Sequence, residues 1–306
     1  MKTSRRDFIR KGVLAAIGSN AIAGALLAAK QKNELMGLQL YSVRNEMKTD
    51  PLGTLRQVAE MGYKNVEHAS YTERKFYGYS AKEFRKILDD LGLRMPSGHT
   101  EMGKLHWDAD KKEFTDLWKF TVEDAAIAGQ EFVISPSLDK NLRKTADDLK
   151  GYMDVFNKSG MLCKKSGMKF GYHNHWFEFS GMLDGSSVYD IIMEYTDPEL
   201  VVQQIDIGNL YNDNVKAIDI VRKYPGRFQS MHVKDEIPRT GDVVGDEIYE
   251  STILGAGIVN VKEVIDLGRK SGGTRHFIIE QESYQGKTPL ACVKEDLAIM
   301  KKWGYY

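Results

Sequence analysis

The sequence predicts an α/β protein folded as a (β/α)8 TIM barrel, and three observations carry that prediction. Short apolar runs alternate with helical stretches eight times between residue 36 and the C-terminus. These runs are short and largely apolar, as in parallel strands covered on both faces. Four late runs end on a side chain of metal-ligand type: His173 in KFGYHNHW, Asp206 in LVVQQIDIG, His232 in FQSMHVKD and Glu280 in HFIIEQE. Functional groups at the C-terminal ends of several different strands are the habit of this barrel.

The elements follow in order. The first strand is expected over 36–41 (MGLQLY), then a helix over 51–61 that Gly62 stops. The second strand is 65–68 (NVEH). The next helix runs from Ser80 to Leu91, with Glu83 three residues after Ser80 as a capping box and Gly92 as its end. Strand three covers 93–99, followed by a helix over 111–128 that Gly129 closes. Strand four is 131–135, and a long helix over 145–166 ends at Gly167. The remaining strands are 168–173, 200–206, 228–233 and 276–280. Their helices are 186–195, 215–224, 261–270 and 289–303, with a long excursion after strand seven. Eight such units imply a closed barrel. A doubly wound sheet would carry a glycine-rich phosphate turn after its first strand, and LYSVRNEM has no glycine. Gly255-Ala256-Gly257 has no strand immediately before it, so it does not read as a nucleotide loop.

Composition narrows the function. The 306 residues are 42% hydrophobic and 28% charged, with Lys plus Arg and Asp plus Glu both at 43. That balance gives no polybasic face for nucleic acid or membrane. The two cysteines, Cys163 and Cys292, lie far apart with no CxxC or adjacent histidine, which excludes a disulfide framework. Residues 1–30 read as a separate export segment. Ser4-Arg5-Arg6-Asp7-Phe8 precedes a weakly apolar stretch from Gly12 to Ala29, which resembles a twin-arginine signal and implies a periplasmic protein. The alternative is an uncleaved segment anchoring the chain to the inner membrane. Residues 31–306 are expected to form one barrel domain.

The segments GLQLYSVR, GYKNVEHA, GLRMPSGH, GYHNHWFEF, QIDIGN, MHVKD and IIEQE resemble the sugar phosphate isomerase/epimerase family with the xylose isomerase-like barrel (the AP endonuclease 2 type). The resemblance covers nearly the whole of residues 31–306. It implies one divalent ion held by Glu, Asp, His and Glu from strands five to eight. Asp206, His232 and Glu280 match the last three of these. His173 stands where the ketose epimerases have their first Glu, and Glu178 matches the acid that trails it. This departure argues against a mechanism with two carboxylates on opposite faces of the sugar. The YHNH pattern is similar to members that cleave 3-keto-glycosides by β-elimination.

Taken together, His173, Asp206, His232 and Glu280 are expected to bind one divalent ion. Manganese, zinc, cobalt and magnesium all suit two imidazoles and two carboxylates. Glu280, Lys234, His99 and Glu67 are the candidate catalytic groups. Lys234 is expected to have its pKa lowered beside a dication, the rival reading being a rim lysine paired with Asp235. His175, Asn209, Asp235, Arg239 and Trp176 are the candidate substrate contacts, with Trp176 positioned to stack on a sugar face. His68, His106 and His276 are given no role. The leading expectation is a metal-dependent sugar isomerase or epimerase. It would remove a proton α to the carbonyl and pass through a metal-stabilised enediolate. One alternative is β-elimination from a 3-keto-glycoside on the same site. Another is a non-catalytic periplasmic sugar-binding barrel. An endonuclease IV-like activity would need more metal ligands and a basic groove. The expected partner is a small carbohydrate, not nucleic acid, and self-association stays open.

Overall fold

The structure is a computed structural model that describes residues 35–240 and 247–305. Eight parallel strands close a barrel. They are β1 (Leu35–Gln39), β2 (Asn65–His68), β3 (Arg94–His99), β4 (Phe132–Ser135), β5 (Lys169–His173), β6 (Val201–Asp206), β7 (Ser230–Val233) and β8 (His276–Ile279). Each strand pairs with its sequence neighbours, and β1 joins both β2 and β8. The outer helices are α1 (Pro51–Met61), α2 (Ala81–Asp90), α3 (Asp116–Ala128), α4 (Ala146–Lys164), α5 (Val188–Tyr195), α6 (Ala217–Lys223), α7 (Val261–Leu267) and α8 (Pro289–Lys302). The described residues from Met36 onward form one compact unit. The twin-arginine segment lies outside the described residues. Among the described residues, no helix is long and apolar enough to cross a membrane.

The helix boundaries follow from capping chemistry. Asp50 accepts from Gly53 N at 2.9 Å ahead of Pro51, and the Ser80–Glu83 capping box forms as expected. Gly62 ends α1 at φ 105°, a left-handed conformation that costs other residues more. The differences from expectation are local. Strand β1 stops at Gln39, because the Gln39 side chain accepts from Tyr41 N at 3.1 Å and turns the chain into a 3-10 helix, Leu40–Val43. Helix α3 begins at Asp116, not near residue 111. Asp108 accepts from the amides of Asp110 and Lys111, closing a small hairpin of Trp107–Asp108 and Glu113–Phe114. Helix α7 ends at Leu267, where a π turn (Gly268–Gly272) takes over.

Strand alternation divides the side chains between two cores. The outer one packs strands against helices, with Phe156 and Phe170 at 4.8 Å and Trp118 donating to Ser159 Oγ at 2.9 Å. Cys163 and Cys292 are both free and buried. The barrel interior holds the small apolar cluster Phe132, Ile134 and Val202. Above it lies a polar level, where a barrel usually stacks branched aliphatic residues. Gln39, Glu67, Ser97, Gln204 and Ser230 are all at most 1% exposed. This level is the floor on which the site stands.

Candidate active site

The interior polar level is wired around one carboxylate. Glu67 Oε1 accepts from Gln39 Nε2 at 2.8 Å and from His232 Nε2 at 2.6 Å, and lies 3.1 Å from His99 Nε2. Its Oε2 accepts from Ser97 Oγ and from Gln204 Nε2 at 2.9 Å. Burial alone would raise the Glu67 pKa, but His99 and His232 outweigh it and hold the carboxyl well below its usual range. Glu67 therefore lies beneath the cavity and not in it. Its contacts are with the imidazoles of His232 and His99, and it is absent from the cavity lining.

Gln204 completes the floor, and sequence reasoning missed it. Its Nε2 donates to Glu67 and to Ser230 Oγ at 2.9 Å. Its Oε1 then faces His99 Nε2 at 2.7 Å and His173 Nδ1 at 3.1 Å. An amide oxygen only accepts, so both imidazole nitrogens carry the proton here. His173 Nε2 is left with its lone pair. His232 turns Nδ1 upward because Nε2 is held by Glu67; Nδ1 meets Glu280 Oε2 at 3.1 Å, and against burial the Glu280 and Glu67 charges raise the His232 pKa to about 10, so a cation bound there would displace that proton. In QQID the glutamine one turn of the β alternation below Asp206 was the available clue: side chains two apart share a face.

Above this floor, His173, Asp206, His232 and Glu280 each offer a ligand atom, all within 4.8 Å of one another. His173 and Asp206 end β5 and β6, His232 sits in β7, and Glu280 directly follows β8. Asp206 Oδ1 accepts from Gly208 N at 2.8 Å and Asn209 N at 2.9 Å, while buried Oδ2 accepts no hydrogen bond. That orphaned oxygen lies 4.0 Å from His173 Nε2, 3.9 Å from His232 Nδ1 and 3.6 Å from Lys234 Nζ. The Lys234 ammonium, at 3.6 Å, is beyond hydrogen-bond reach, so a buried carboxylate oxygen that accepts no hydrogen bond among the described residues stands beside two imidazoles and a second carboxylate, a donor set that fits a divalent ion. Burial, then the repelling Glu280 charge, raises the Asp206 pKa. Burial opposes ionisation of Glu280 too, yet His232 and Lys234 keep it well below normal. Burial and the neighbouring His232 and His99 lower the His173 pKa.

Lys234 is not paired with Asp235. Its ammonium donates to Glu282 Oε1 at 2.5 Å, Asn209 Oδ1 at 3.0 Å and Glu280 Oε2 at 3.5 Å. Burial lowers its pKa, but with no ion in the site Asp206, Glu282 and Glu280 together push it well above the usual value. Asp235 faces the other way and accepts from the amides of Glu236, Gly255, Gly257 and Val259 at 2.8–3.0 Å. That geometry moves Asp235 from the substrate set to the scaffold of the long excursion.

A cavity of about 990 Å³ opens over this centre, and His99, His173, His175, Trp176, Arg239 and Glu280 are among its lining residues. His175 lies past the end of β5, its ring 5.3 Å from that of His173. Asn209 lines the cavity and is tied to Lys234. Arg239 is paired with Glu247 at 3.1 Å. Glu178 is buried, accepting from Tyr172 and His175 N, so it supports the loop and does not join the ligands. His68 packs on Phe76, His106 accepts from Gly103 N at 3.0 Å, and His276 lies 3.4 Å from Glu131.

Comparison with known proteins agrees with this architecture. The family model described as xylose isomerase-like TIM barrel matches residues 55–303. The chain belongs to that family. An inosose dehydratase of Clostridium perfringens is 30% identical over 101 residues, covering 33% of each chain. Such alignments span a third to about half of the curated relatives. A sugar phosphate isomerase/epimerase structure from Parabacteroides distasonis is 26% identical with a TM-score of 0.73, covering 88% of this chain and 98% of that one. The IolI protein, solved with a zinc atom, has the same fold at 12% identity and a TM-score of 0.65, covering 89% and 99%. The family membership and these structures establish the xylose isomerase-like barrel.

Proposed function

We propose a divalent-metal-dependent enzyme that removes the proton α to the carbonyl of a small sugar or cyclic polyol ketone. The observation that carries this is the orphaned Asp206 Oδ2 facing His173 Nε2 and His232 Nδ1 beneath the cavity. His173, Asp206, His232 and Glu280 would hold the ion, which when bound supplies Lewis-acid polarisation of a carbonyl. The inosose dehydratase and isomerase/epimerase likenesses support a keto-sugar or keto-polyol substrate.

The remaining chemistry falls to the chain's own groups. Among the three candidate bases, His99 has the geometry. Its Nε2 is fixed by Gln204 and Glu67, which leaves Nδ1 without a hydrogen-bond partner among the described residues, on a ring that lines the cavity. Lys234 spends its protons on three neighbours and has no free lone pair, and Glu280 is held ionised as a ligand. Reprotonation at carbon would give isomerisation or epimerisation, whereas loss of a β-oxygen would give elimination. The test uses metal-stripped protein and an inosose in D2O, with and without Mn²⁺ or Zn²⁺. Metal-dependent α-deuteration, lost in H99N, is the expected result. Turnover that is equal in stripped and loaded protein would overturn the reading.

Export is proposed from Arg5-Arg6 and the weakly apolar stretch behind them. Replacing both arginines by lysine should retain the chain in the cytoplasm in a fractionation assay.

A further inference from the structure

We propose that Glu236 is the proton donor to a leaving oxygen, so that the site carries out elimination and not epimerisation. This rests on the carbonyl-centred reading above. The argument begins with strand geometry. The chain continues past β7 into the hairpin strand Asp235–Pro238, which pairs with Tyr249–Thr252. Side chains two apart lie on one face, each step rising roughly 7 Å. His232 faces the metal ligands, Lys234 reaches across them, and Glu236 stands one step further out; both Lys234 and Glu236 line the cavity.

Glu236 is 4% exposed, yet its carboxyl makes no hydrogen bond to any described residue, although it opens on the cavity. The neighbouring cation cannot serve it, because an ammonium has three protons and those of Lys234 go to Asn209, Glu280 and Glu282. Its carboxyl packs against the loop after β6: a Cβ at Gly208 would fall 2.8 Å from Glu236 Oε1. The charged groups around it are Lys234, Asp206, Glu282 and Asp235; burial and the three acids outweigh the lysine and push its pKa to about 8. A buried carboxyl that lines the cavity with no hydrogen-bond partner among the described residues is placed to give a proton to a group bound there.

Elimination needs such a donor. The base takes the α-proton, the C–H electrons form the C=C bond, and the β C–O bond breaks with its pair moving to oxygen. Glu236 gives that oxygen its proton, releasing water or an alcohol and an α,β-unsaturated carbonyl. Its carboxylate then regains a proton from solvent. A hydroxyl or alkyl-alcohol oxygen leaves poorly as an anion, whereas a nitrophenolate leaves unaided.

The experiment compares metal-loaded parent and Glu236→Gln on two β-oxygenated cyclic ketones, one with a β-hydroxyl and one with a β-nitrophenoxy group. Both α-deuteration and enone formation are followed. The expected result is retained α-deuteration, a loss of roughly 100-fold or more in β-hydroxyl elimination, and near-parental release of nitrophenolate. In metal-free protein near pH 6, the parent-minus-E236Q infrared difference should show the carbonyl band of a protonated carboxyl. Equal slowing of both leaving groups, no slowing of either, or absence of that band overturns the assignment. If the parent neither deuterates nor eliminates, the proposed function itself fails first, and the role of Glu236 falls with it.

Discussion

Replacing Gln204 by leucine tests whether the buried amide sets the imidazoles for metal binding. Leucine keeps the volume approximately but removes an acceptor shared by His99 and His173 and donors to Glu67 and Ser230. His99 Nε2 retains Glu67 at 3.1 Å, so its loss is partial. His173 Nδ1 loses its one acceptor, and an orphaned buried donor costs about 1–3 kcal/mol. Glu67 Oε2 keeps Ser97 but gives up a hydrogen bond to a charged group, about 1.5–3 kcal/mol. Leucine recovers part of this by burying apolar surface. The metal-free variant should therefore lose about 2–5 kcal/mol of stability. Zinc affinity should fall roughly 10–100-fold, as for other groups that hold a ligand imidazole from behind.

The two effects are measured separately. Urea denaturation of stripped protein gives the stability, and competition with a chelating dye gives the zinc affinity of the folded variant. A stability loss with zinc affinity within about threefold of the parent would refute the tautomer argument for His173. Gln204→Glu sharpens the test. It places a second carboxylate where Gln204 Nε2 now lies 2.9 Å from Glu67. At an effective dielectric of about 20 the repulsion is about 6 kcal/mol, so this variant must take up a proton or become less stable than the leucine one.

Three further outcomes follow from other parts of the structure. Burial and neighbouring acids raise the Asp296 pKa from 3.8 to about 7. The unfolded chain ionises first, so this contribution is intact below about pH 4, is lost as pH rises to 7, and then stays flat. Asp296→Asn should remove that decline, up to about 4 kcal/mol between pH 4 and 8, in urea titrations of metal-free protein; parallel pH profiles would refute the assignment. Gly160→Ala should destabilise by about 1–3 kcal/mol, because its Cβ would meet Leu200 O at 2.6 Å across from α4, and an unchanged Tm would contradict that packing. Asp235→Ala should free the amides of Gly255, Gly257 and Val259 to exchange with solvent, costing about 2–5 kcal/mol. Undiminished protection of those amides would show that the carboxylate does not hold the excursion.

The barrel was legible because most strands are short, largely apolar runs and most helices carry their own stop. Gly62, Gly129 and the Ser80–Glu83 pair mark boundaries by local chemistry, which a sequence displays directly. The starts of α3 and the end of α7 were not so marked. The Asp108 turn and the π turn at Gly268–Gly272 depend on contacts that no residue pattern announces. At the site, residue type separated possible ligands from scaffold only in part. Asp235 and Lys234 are neighbours in sequence, yet alternation sends one into the loop amides and the other over the ligands.

The same alternation explains why Gln204 escaped. A reading that looks for chemistry at strand ends examines the last residue of each strand. The groups that decide the tautomers of those residues lie one step lower, at interior positions where a barrel ordinarily carries valine or isoleucine. Polar residues there are expensive unless mutually satisfied, and in this chain Gln39, Glu67, Ser97, Gln204 and Ser230 satisfy one another and then the imidazoles. Their cost is itself the information. Five buried polar side chains on one level of a barrel imply something above them that must be held in one protonation pattern. Here that is His173, with its Nε2 lone pair left over, and His232, whose Nδ1 meets Glu280 Oε2 at 3.1 Å, both turned toward an aspartate oxygen that accepts no hydrogen bond among the described residues.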